Sequence, residues 1–225
     1  VPLPLAAPPR DDRPLERLVV VVAGPGGARP RLHQYALHDD PRQEIRGDTL
    51  IVSRRGRADE RPADPRRHLA PDPLVPSDDP AIRAAARALV APRPEETAAR
   101  IVRWVDREVV RAPSDRVVLP DAAGALRRGR GTDQERLLVM VALARAAGIP
   151  ARTVGGLLLR GDRFHWHAWA ELHLDGWVPA DPYTGQLPAD AARVRLVVGG
   201  LGRPAELFPL FGGMRLRVVE RRETR

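Results

Sequence analysis

The chain has 225 residues, 43% of them apolar, enough for one sizeable core or a core with a small appendage. It contains no cysteine, which excludes disulfides, thiolate metal sites and every thiol nucleophile. The formal charge of +8 comes from arginine alone, because 37 Arg stand beside no Lys and no Asn; this reads as GC-rich coding bias, and with aromatics at only 4% and not interleaved with the arginines it argues against a nucleic-acid partner.

Along the chain, the first third carries short apolar runs at Leu18–Ala23, Tyr35–Leu37 and Thr49–Val52, the last after the turn-like Arg46-Gly47-Asp48, and predicts a few antiparallel strands. None of these runs nears the roughly 20 apolar residues that cross a bilayer, so no membrane span is expected. Val1–Pro9 lacks the pattern of a secretion signal, and the start at Val1 reads as a trimmed or processed chain. Arg54–Asp79 is polar and proline-rich and predicts a linker or extended arm. The expected division is therefore a β-rich segment with its linker over 1–66 and a larger domain over 67–225.

Helical signals begin at Ser77-Asp78-Asp79-Pro80, followed by Ile82, Ala85, Ala86 and Leu89 on one face. A second helix opens at Pro94-Glu95-Glu96 and carries Ala98, Ile101, Val102, Val105 and Val109 at helical spacing. The third has the capping-box form Thr132-Asp133-Gln134-Glu135, and its body from Leu137 to Ala147 is apolar on nearly all sides, which implies burial all round. After Pro150 the period shortens. Thr153–Leu159, Phe164–Leu174 and Trp177–Ala180 predict strands, with Arg193–Val198 and Met214–Val219 expected to close the same sheet.

Three polar residues occupy positions this pattern makes special: Asp133 at the start of the buried helix, His167 within an aromatic strand, and Asp181 at the end of the next strand. Each alone has a structural explanation, as a helix-dipole partner, a core histidine or a turn initiator. Together they stand in an ordered set of motifs. Gly131-Thr132-Asp133-Gln134-Glu135, Ala142 to Arg152, His167-Ala168-Trp169-Ala170-Glu171 and Trp177 to Gln186 resemble the core of bacterial transglutaminase-like proteins, a likeness that spans roughly Leu69 to Glu220. The resemblance implies an α+β fold, a buried helix packed on an antiparallel sheet, with the small β-rich N-terminal piece added. It also implies a papain-like triad whose cysteine position falls on Asp133, with His167 and Asp181 as its partners. Thr132, Gln134 and Arg136 depart from the residues usual there, so the site as a whole has diverged.

A carboxylate that attacked an amide would form an anhydride, a poor intermediate beside a thioester, so ordinary transglutaminase or peptidase chemistry is not expected. Attack at saturated carbon, or general acid and base chemistry in a hydrolysis, cyclisation or isomerisation, suits an Asp–His–Asp set better. The expected enzyme would act on a small-molecule or peptide substrate, with Trp169, Gln134 and Thr132 beside it. The alternative is a catalytically inactive relative that binds a peptide or protein. His165, His167 and His173 share a strand face, with the first two about 7 Å apart, but no well-spaced acid joins them. Neither a metal nor a cofactor is expected.

Overall fold

The computed structural model describes residues 13–24, 42–56, 64–113, 119–199 and 215–224. They fall into two compact units. Residues 64–113, 119–153 and 169–188 make the first, and 13–24, 42–56, 154–168, 189–199 and 215–224 the second.

The first unit is built around a buried helix. Helix α1 (Pro80–Leu89) is capped by Asp79, whose carboxylate accepts from the Ala81 and Ile82 amides, and Pro80 fills the first helical position, where no amide is needed. Helix α2 (Pro94–Glu108) buries Ala98, Ile101, Val102 and Val105, the predicted stripe, while its arginines and acids stay outside. Helix α3 (Ala122–Arg128) carries no sequence expectation; it is bracketed by Asp121 as N-cap and by Gly129 at φ 62° as a left-handed C-cap. All three pack on helix α4 (Asp133–Ala146), which is buried continuously from Glu135 to Ala144. A helix without a polar stripe must be covered on several sides, and three partner helices do that. The same unit holds a two-stranded parallel ladder of β4 (Val110–Arg111) and β5 (Arg130–Gly131), and an antiparallel pair in which β8 (Trp177–Ala180) lies along the end of β7 (Arg163–His173) from Ala170↔Ala180 to His173↔Trp177.

The second unit is strand-built. A four-stranded sheet has the order β10-β1-β3-β2, formed by β1 (Leu15–Ala23), β2 (Gln43–Arg46), β3 (Thr49–Ser53) and β10 (Arg215–Glu223). Within this unit the start of β7, most of β6 (Ala151–Arg160) and β9 (Arg193–Val198) are hydrogen-bonded in that order, with β6 turning into β7 at Gly161, φ 58°.

Two expectations need correction. The last strand does not close the core sheet; β10 pairs antiparallel along β1, from Leu15↔Glu223 to Ala23↔Arg215. Its half-exposed Leu216 and Val218 among charged neighbours suit an edge, where charge protects the open side. The proline-rich segment is not wholly extended either, because Pro65 opens a 3-10 turn over Pro65–His68 with Asp64 as its cap. The run at Tyr35–Leu37 lies outside the described residues.

Candidate functional site

The site is assembled at the start of α4. Thr132 caps the helix: its hydroxyl accepts from the Glu135 amide at 3.2 Å, and the Glu135 carboxylate accepts from the Thr132 amide at 2.8 Å. Gly131 just before it leaves little room for a side chain, since a Cβ there would stand 3.0 Å from the Cβ atoms of both Ala125 and Glu135. The entry to the helix is therefore tightly determined, and Asp133 follows as its first helical residue.

The short ladder beside this entry decides what meets Asp133. The register Arg111↔Gly131, continued by the Ala112 amide donating to the Gly131 carbonyl at 2.9 Å, sets Arg111 across from the helix start. Arg111 Nη2 donates to Asp133 Oδ2 at 2.7 Å, and the two side chains keep 26% and 36% of their exposure. Asp133 Oδ1 is buried and has no hydrogen-bond partner among the described residues. The Arg111 guanidinium also lies over the ring of Tyr183, 4.8 Å from its centroid.

Tyr183 belongs to the turn that ends β8. The fully buried Asp181 accepts the Tyr183 amide on Oδ1 at 2.9 Å, and paired backbone bonds between Asp181 and Gln186 close the turn. Asp133 and the Asp181 turn thus converge on one guanidinium. Arg111 is the member that sequence reasoning missed, because no local motif marks a contact set by a two-residue ladder.

The other expected residues stand as follows. His167 lies on β7 in the part that belongs to the second unit and is buried. Gln134 is half-buried at the second position of α4, and Thr132 is occupied by its cap. Trp169 is completely buried, on the side of β7 that also carries His167. Among the described residues no group of three His, Asp or Glu is arranged to hold a metal ion.

Residues 83–182 match the sequence profile of the transglutaminase-like superfamily. Those residues form a transglutaminase-like core. That core contains α2, α3, α4, the β4–β5 ladder and β7–β8, so the Asp133–Arg111 pair lies within it and Tyr183 follows its last matched residue. A "putative cysteine protease" from Cytophaga hutchinsonii is similar in fold, at 15% identity and a TM-score of 0.55, covering 95% of this chain and 88% of that one. The periplasmic domain of TgpA from Pseudomonas aeruginosa aligns at 17% identity and a TM-score of 0.47, over 78% of this chain and 90% of that one. No curated protein matches the sequence.

Proposed function

We propose that this transglutaminase-like core is a catalytically inactive peptide-binding module in which an ion pair occupies the nucleophile position. One observation carries the reading: Arg111 Nη2 holds Asp133 Oδ2 at 2.7 Å while resting on Tyr183. A carboxylate oxygen whose lone pair is engaged by a guanidinium is a weaker nucleophile than a free one, and it must break that bond before it attacks. The thiol chemistry implied by the name of the Cytophaga hutchinsonii protein does not carry over, because this chain has no cysteine.

The competing reading is the Asp133–His167–Asp181 enzyme, with carboxylate nucleophile or general acid and base chemistry. It is favoured by the second oxygen of Asp133, which has no hydrogen-bond partner among the described residues and is left for other use.

The test compares the wild type with Asp133→Asn and Arg111→Met. Fluorescein-labelled peptides of varied sequence serve as binding probes by polarisation, and mass spectrometry of the same peptides with added amine follows any hydrolysis or amine transfer. The module predicts peptide binding without product, with affinity changed by no more than about tenfold in Asp133→Asn, about 1.4 kcal/mol. Product from the wild type that Asp133→Asn abolishes, in a protein that melts normally, overturns it in favour of the enzyme.

A further inference from the structure

A second cluster in the first unit, outside the Asp133 site, surrounds Trp177. The Arg152 guanidinium lies over the indole, 3.9 Å from its centroid, and is held there by Glu171 at 2.6 and 2.8 Å. His173, the cross-strand neighbour of Trp177, meets the ring edge-on at 5.3 Å, and His68 does the same at 5.1 Å. Three of these groups come from the sheet; His68 comes from the 3-10 turn of the proline-rich segment. Just beyond that turn, Ala70 and Asp72 are held by one residue of α4, because Arg145 Nη1 donates to the Ala70 carbonyl at 2.7 Å and to Asp72 at 2.8 Å.

We propose that residues 65–72 form an acid-released strap, fastened over Trp177 while the His68 imidazole is neutral and released when that ring gains a proton. Three observations carry this. First, His68 Nε2 accepts a hydrogen bond from Arg67 Nε at 3.1 Å, so a proton on that nitrogen removes the bond and sets two cations against each other. Second, the charged groups around it are mostly of one sign: Arg67 on its own turn, Arg152 from β6 and Arg145 from α4, while the acids Glu171 on β7 and Asp72 are already engaged by Arg152 and Arg145; His173 on β7 faces it across the indole. Burial first, then these three arginines, push His68 down to about 4. Third, the Trp177 Nε1–H is buried with no hydrogen-bond partner among the described residues, so lifting the strap lets water reach it and lowers the cost of release.

The sign follows from linkage. A histidine whose value in the fastened state is depressed contributes fully above its ordinary value near 6.5, and that contribution is lost as pH falls toward 4. Because His68 is only half-buried, solvent screening reduces the effect, and the ratio of fastened to released strap is expected to fall by about tenfold or more across this window rather than by the full ratio of the two values.

Hydrogen exchange of the whole chain, read by mass spectrometry between pH 7 and 4 and corrected for intrinsic rates, tests it. Peptides covering 65–76 should lose protection about tenfold in acid while peptides of α4 keep theirs, and His68→Phe, which retains an edge-on ring without a titrating nitrogen, should abolish the change. His68→Gln serves the same purpose if the Phe variant does not fold. Protection of 65–76 that persists at pH 4, that falls together with α4, or that falls equally in the non-titrating variant overturns the proposal.

Discussion

Two places in the first unit use one arrangement, a carboxylate holding an arginine that lies on an aromatic ring. At Trp177 the members are Glu171 and Arg152, with side-chain exposures of 1% and 12% and two contacts between them. At the helix start they are Asp133 and Arg111, with 36% and 26% and a contact at 2.7 Å. The same chemistry therefore has different consequences. A buried, doubly bonded pair cannot lose one member without stranding a charge, whereas a pair open to water can exchange its partner for solvent or for a ligand. The first belongs to the scaffold, and the second is placed where exchange is possible.

The sharpest way to break this comparison is Glu171→Ala, which leaves Arg152 buried without its carboxylate. It should cost about 3–5 kcal/mol in denaturant unfolding. A cost under about 1 kcal/mol would make the two pairs alike. The double variant Glu171→Leu with Arg152→Met should recover most of the loss, because apolar side chains of similar volume need no charge partner.

A smaller effect separates the helix cap from the ion pair beside it. Thr132→Ala removes the hydroxyl that accepts from the Glu135 amide and should cost about 1 kcal/mol, read as a shift in unfolding midpoint at unchanged slope. The smallest effect is expected at the site. A double-mutant cycle on Arg111→Met and Asp133→Asn should give a coupling of only about 0.2–1 kcal/mol, lowered further by salt. A coupling of several kcal/mol would place this pair with the buried one and remove it as an exchangeable position.

Much of this architecture was legible in the linear pattern. The capping box at Thr132, the apolar body of α4, the stripe of α2 and the proline start of α1 each state a local preference that tertiary structure had no reason to override. The strands β6 to β9 followed from period and turns, and the ordered motifs pointed to the transglutaminase-like core that the superfamily profile matches over residues 83–182. Helix α3 carries no such signal although Asp121 and Gly129 bracket it, because a single leucine among small and basic residues makes no periodic pattern.

Sequence by itself determined which residues cap, which bury and which types of group are absent, since those depend on composition and on neighbours a few positions away. Tertiary structure alone decided that β10 joins β1, that Trp169 is spent on the core, and that Arg111 reaches both Asp133 and Tyr183. These contacts join residues far apart in the chain. No local propensity encodes them; at the helix start it is the short β4–β5 ladder that brings Arg111 across from Asp133.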